Sequence, residues 1–212
     1  MPNQVLLTYK SRRNRACLVQ TEAGRYVSKD FSYRERYLKE FRVYRLLQDA
    51  ELPCAQVVLA CNNRLLLTEL PGKNLVECLE RQEAEQIIKW DIWTALVDWI
   101  IGFHHITGMI MQDINLRNFL YDEKTKTLYG LDFEDCAEGE LFGDAAKLAA
   151  HIRIYSPENT PIKQAIANYV LEMFSEKCNY HMDMLHRESK IQEVLLLERR
   201  KTEYSVFRAA ES

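Results

Sequence analysis

The spacing of apolar positions changes character about a third of the way along the chain. Residues 5–9, 16–21 and 25–29 are short, β-compatible runs, which predicts three strands. Glu22, Ala23 and Gly24 supply a turn between the second and third, so the three form an antiparallel meander. From 33 to 49 the side chains of Tyr37, Phe41, Tyr44 and Leu47 recur every three or four residues, the period of an amphipathic helix. Pro53 stops it. Residues 56–60 and 64–69 flank Asn62 and Asn63, a pair suited to a tight turn, and read as a hairpin.

After Pro71 and Gly72 helical patterns take over. The stretch 87–107 is apolar on nearly every face, with the rings of Trp90, Trp93, Trp99 and Phe103, as expected for a central buried helix. Gly108 ends it. Residues 119–121 and 127–131 flank the polar turn 122–126 and form a second hairpin, followed by helices over 144–155, 161–178 and from 182 to the C-terminus. The predicted class is α+β: an antiparallel sheet with one helix over residues 1–70, then a mainly helical region over 71–212.

Composition narrows the class without naming a function. With 47% hydrophobic and 28% charged residues, neither a disordered chain nor a fibrous repeat is expected. A net charge of -3 carries no nucleic-acid footprint. The first ten residues lack the apolar run of a secretion signal. The most apolar stretch, 90–105, is broken by Asp91, Asp98 and the pair His104 and His105, so no transmembrane segment is expected. Cys17, Cys54, Cys61, Cys78, Cys136 and Cys178 show no C-x-x-C pair or metal spacing, which suits reduced thiols in a cytoplasmic protein.

Chemistry concentrates in Met111-Gln112-Asp113-Ile114-Asn115-Leu116-Arg117-Asn118 and, after the second hairpin, Leu131-Asp132-Phe133-Glu134. An Asp and an Asn five positions apart on one loop can offer a carboxylate to an attacking hydroxyl and an amide oxygen to a metal. A second Asp, returned by the hairpin, supplies the main carboxylate ligand. The plainer reading is that Asp113 and Asn118 make turn hydrogen bonds and Asp132 ends a strand.

Taken with Lys29 at the end of the third strand, these segments resemble the protein kinase superfamily, with its H-R-D-x-x-x-x-N and D-F-G loops. They are most similar to the branch of aminoglycoside phosphotransferases, lipopolysaccharide kinases and small atypical kinases, where the loops read H-G-D-x-x-x-x-N and D-[FW]-E. The resemblance implies a two-lobed kinase-like fold using ATP and Mg2+. It makes Asp113 the catalytic base, Asn118 and Asp132 metal ligands, and Lys29 the partner of the α and β phosphates. Glu40 or Glu35 would orient Lys29. The Thr68 carbonyl and Leu70 amide would recognise adenine, since Pro71 has no amide hydrogen. Asp144, closing Gly139-Glu140-Leu141-Phe142-Gly143-Asp144, would open a helix and bind the backbone of the catalytic loop.

The chain also departs from that pattern. No G-x-G-x-x-G joins its first two strands; Lys10-Ser11-Arg12-Arg13-Asn14-Arg15 stands there, which makes Ser11 and Asn14 the candidate phosphate contacts, unless the turn is merely solvated. Met111 replaces the family's histidine, and Glu134 its glycine. Glu134 and Asp135 are open to a second metal, a cationic substrate group or plain solvation. His104 and His105 are expected to be structural. The expected activity is phosphoryl transfer to a hydroxyl of a small molecule, a saccharide or a protein. The alternative is a nucleotide-binding pseudokinase acting as scaffold or sensor. Without an A-P-E segment after Asp132, a conventional protein kinase is disfavoured.

Overall fold

The N-terminal runs pair as their spacing predicts. The computed structural model describes residues 4–9 and 13–210, with side chains through Thr202. Strands β1 (Gln4–Tyr9), β2 (Arg15–Thr21) and β3 (Gly24–Asp30) precede helix α1 (Arg34–Asp49), followed by β4 (Val57–Cys61) and β5 (Arg64–Thr68). They make one antiparallel sheet in the order β1-β2-β3-β5-β4. Both hairpin turns need left-handed backbone, which Gly24 (φ 134°) supplies in one and Asn62 and Asn63 (φ 48° and 57°) in the other. The central strand β3 holds Lys29 opposite Ala16 on one side and Leu65 on the other. Helix α1 buries Tyr37, Val43, Tyr44 and Leu47, and Glu40 lies in the same buried stripe.

The remainder is helical, interrupted by short strands. Strand β6 (Lys73–Asn74) leads into α2 (Leu75–Glu85), α3 (Trp90–Thr107) and β7 (Met109–Ile110). A 3-10 turn (Leu116–Asn118) opens the hairpin of β8 (Phe119–Asp122) and β9 (Thr127–Gly130). Then come β10 (Ala137–Glu138), α4 (Leu141–Ile154), α5 (Pro161–Cys178) and α6 (Met182–Ala210). The short strands form a β6-β8-β9 sheet and a β10-β7 pair.

Three boundaries differ from the sequence expectation. Helix α2 was not anticipated, although Asn74 caps it by accepting from the amides of Val76 and Glu77 while its own side-chain amide meets Glu77. Helix α3 begins at Trp90 rather than 87, and Gly108 closes it in left-handed geometry (φ 67°). Helix α4 begins at Leu141, so Asp144 lies within its first turn rather than at the cap, which is Glu140.

One continuous apolar core runs from Phe31, Tyr37 and Leu65 through Trp93 and Phe119 to Phe174 and Leu185. At its centre the Phe133 ring lies 4.9 Å from Tyr44 of α1, and 6.0 and 5.7 Å from Trp99 and Phe103 of α3. Burying that ring fixes the backbone of its neighbour Asp132 against both helices. All six cysteines are free thiols. Among the described residues no helix is long and apolar enough to cross a membrane.

Candidate active site

Three distant segments meet at Lys29. Its Nζ lies 2.7 Å from Glu40 Oε2 of α1 and 2.7 Å from Asp132 Oδ1 in the loop after β9, with Glu134 Oε2 at 3.9 Å. The Phe31 ring covers the ammonium, 4.9 Å away at its centroid. Burial alone would pull Lys29 toward the neutral amine, but the carboxylates of Glu40 and Asp132 outweigh it and hold the pKa above its ordinary value. Glu40 is fully buried and Glu35 exposed, so Glu40 is the carboxylate that orients Lys29. Burial pushes the Glu40 carboxyl up to about 7 against the pull of Lys29, and its Oε1 has no hydrogen-bond partner. Carboxylate oxygens of Glu40, Asp132 and Glu134 lie within 4.8 Å of one another.

The loop carrying Asp113 is held by a lattice of hydrogen bonds. Gln112 (φ 56°) and Asp132 (φ 61°) both adopt left-handed backbone, which for residues other than glycine persists only where the surroundings enforce it. Here they do. Asp113 N donates to Met111 O (2.7 Å), Met111 N to buried Asp144 Oδ2 (2.6 Å), and Lys147 Nζ to Gln112 O (2.5 Å). Burial raises the pKa of Asp144, an effect opposed by the Met111 amide. Asp144 thus binds the loop backbone as expected, though from inside the helix rather than its cap.

Asn118 joins the two loops. Its Nδ2 donates to Asp113 O (2.8 Å), and its carbonyl accepts from Leu131 N (2.8 Å), next to Asp132. The amide oxygen of Asn118 therefore remains as an acceptor. Asp132 gives Oδ1 to Lys29, and its side chain is 47% exposed. An amide oxygen and a carboxylate oxygen, both hard donors, are of the type that Mg2+ takes. Asp113 is exposed at the mouth of the same loop.

The segment before β2 departs from expectation. Ser11 lies outside the described residues. Asn14 is buried: its side-chain amide donates to Glu134, and its Oδ1 accepts from Ser32 N at 3.3 Å. These bonds direct it to protein partners rather than to phosphate. Glu134 is buried and pairs with Arg36 (3.1 Å), while Asp135 pairs with Arg36 (3.1 Å) and Arg13 (2.7 Å). Both acids tie the loop after β9 to α1 and the start of β2, while Glu134 also keeps a carboxylate oxygen in the cluster with Glu40 and Asp132. Sequence reasoning missed Arg36 and Arg13 in this role. The available signal was Arg36, four residues before Glu40 and so on the same face of α1.

At the far end of β5, Thr68 N donates to Gln56 O (3.0 Å) and Thr68 Oγ1 accepts from Gln56 N (2.9 Å). Leu70 N makes no backbone hydrogen bond among the described residues. Met111 is buried, and His104 Nδ1 meets Met109 O at 3.0 Å, a structural contact. The arrangement sets a buried ammonium among three carboxylates whose oxygens lie close enough to hold a hard cation, beside a loop with an exposed carboxylate. The chain matches no protein-family model, and no curated protein shows significant sequence similarity to it.

Proposed function

We propose that the chain is an ATP-dependent phosphotransferase with a two-lobed, protein-kinase-like fold, residues 1–70 forming the nucleotide lobe and 71–212 the catalytic lobe. The observation that carries this reading is Lys29, bridging Glu40 and Asp132 at 2.7 Å each across 11 and 103 residues of sequence. Turn chemistry gives no reason for a buried lysine to recruit an acid from so far along the chain.

In this reading Lys29 grips the α and β phosphates of ATP, oriented by Glu40. The free amide of Leu70 and the carbonyl of Thr68 recognise adenine. Asp132 and Asn118 would hold Mg2+, which when bound would supply charge neutralisation on the transferring phosphoryl group. Asp113 aligns the acceptor hydroxyl. The hydroxyl oxygen bonds to the γ phosphorus, the bond from that phosphorus to the β-phosphate oxygen breaks, the proton passes to Asp113, and ADP leaves.

The test is magnesium-dependent ADP release over a panel of hydroxyl compounds. Asp132→Ala should abolish it, and Asp113→Ala should lower it by about 10²- to 10⁴-fold with nucleotide binding kept. Unchanged turnover in both variants would sink the reading. Tight MgATP binding without turnover on any acceptor would instead favour a nucleotide-binding scaffold.

A further inference from the structure

Helix α6 carries apolar residues on two opposite faces. One face packs on α4 and α5 and buries Leu185, Ser189 and Leu196, with Ser189 Oγ accepting from Arg153 of α4 at 2.6 Å. That face holds the helix in the fold. On the other side Met184, Arg187, Ile191, Val194, Glu198 and Lys201 succeed one another at alternating steps of three and four residues, and all six are exposed. Such steps draw a single stripe along a helix, the seam by which two helices pair. Met184, Ile191 and Val194 leave 58%, 45% and 55% of their surface in water, and Leu195 beside them 51%.

Single exposed apolar residues are ordinary on a protein surface, and three of them alone would call for no partner. Here the apolar and charged positions are ordered so that the stripe complements itself when reversed. Turned end for end about a point between Ile191 and Val194, it sets Ile191 against Val194, Arg187 against Glu198 and Met184 against Lys201, each contact made twice. The guanidinium meets a carboxylate, and the lysine lays its methylene stem along the methionine with the ammonium outward. Laid side by side in the same direction, the stripe instead puts Arg187 on Arg187, Glu198 on Glu198 and Lys201 on Lys201, all like-charge contacts. Arg187, Glu198 and Lys201 make no ion pair among the described residues, so the antiparallel pairing breaks none.

We propose that the outer face of α6 is the interface of a two-fold symmetric dimer, in which the stripe packs antiparallel on the same stripe of a second copy of this chain. From Met184 to Lys201 the seam runs about 26 Å along the helix. A seam of that length, with apolar contacts at its centre and charged ones toward its ends, makes a weak, exchanging dimer, with a dissociation constant on the order of 10–100 μM. Each copy keeps its α4 and α5 contacts, because the stripe lies on the side of α6 away from them. The dimer is tested independently of the phosphotransferase reading.

The experiment is analytical ultracentrifugation of the full chain from about 1 μM to about 1 mM. The native protein should pass from monomer to dimer over that range. Ile191→Lys with Val194→Lys should weaken association at least about tenfold. Arg187→Glu alone sets Glu against Glu198, and Glu198→Arg alone sets Arg against Arg187; each should also weaken the dimer at least about tenfold. Arg187→Glu combined with Glu198→Arg should restore it. Restoration is specific to the antiparallel arrangement, since in a parallel pair the exchanged charges still face their own kind. All these positions are exposed, and circular dichroism verifies that the variants are folded. Monomer at every concentration, an undiminished dimer in the double-lysine variant, or a charge exchange that fails to restore association would each overturn the proposal. Binding of the monomer to phosphatidylcholine vesicles in place of dimerisation would overturn it too, marking the stripe as a lipid-facing surface.

Discussion

Replacing Lys29 by Met tests the ion pair at the centre of the site. The Lys29 side chain is 12% exposed and that of Glu40 1%, so Lys29→Met leaves a carboxylate with almost no access to water. Removing one partner of a buried pair costs about 3–5 kcal/mol. The low end applies here for two reasons. Asp132, the other partner, is 47% exposed and can be solvated. Glu40, already pushed up to about 7, can escape by taking a proton. We expect a loss of about 3 kcal/mol at pH 8, which shrinks toward pH 6 as protonation becomes easier. Lys29→Met with Glu40→Gln removes the stranded charge and should recover about 2 kcal/mol. Chemical denaturation of the three proteins at both pH values measures these differences, and ADP release measured alongside should stay absent in the stabilised double variant. A loss below about 0.5 kcal/mol, or a double variant no more stable than the single one, would refute the reasoning.

Three further outcomes follow from particular contacts. A Cβ on Gly130 would lie 2.1 Å from the Trp99 ring, so Gly130→Ala should cost about 1–3 kcal/mol and shift tryptophan emission; an unchanged melting midpoint would contradict the packing. Asp144→Ala strands the buried Met111 amide and should cost about 1–3 kcal/mol, whereas Asp144→Asn, which keeps an acceptor oxygen, should lose less. In pH-dependent unfolding, Glu40 and His151 act oppositely. Glu40 is raised from 4.5 to about 7, so its contribution is full below 4.5 and lost as pH rises through 7. His151 is lowered from 6.5 to about 4, so its contribution is present above 6.5 and lost as pH falls through 4. Glu40→Gln should remove only the limb near neutrality.

The sequence was most readable where local pattern and burial coincide. The 3.6-residue recurrence of Tyr37, Tyr44 and Leu47 and the Asn62 and Asn63 turn marked their elements, because each depends on neighbours in sequence. Helix α2 escaped because its N-terminal signal, Asn74 with Glu77, lies directly after a Pro-Gly break that reads as loop. Lys29 could be paired with Glu40 or Glu35 by spacing alone; only the packing of α1 on the sheet, which buries Glu40 and exposes Glu35, decides between them. Asn14 and Glu134 were beyond local reasoning altogether. They are 120 residues apart, and a buried bond at that separation leaves no periodic trace.

Among the described residues, the acids gathered around Lys29 outnumber the bases that pair with them. Among the described residues, the carboxylates of Glu40, Asp132, Glu134 and Asp135 pair with Lys29, Arg36 and Arg13. Glu40 Oε1 has no hydrogen-bond partner, and its pKa is raised first by burial and further by the charges of Asp132 and Glu134. A folded chain that needed no ligand would gain by cancelling that surplus, because like charges at close range oppose the compact state. A divalent cation at Asp132 would relieve it. Under the phosphotransferase reading, the surplus is corrected by the metal that phosphoryl transfer requires.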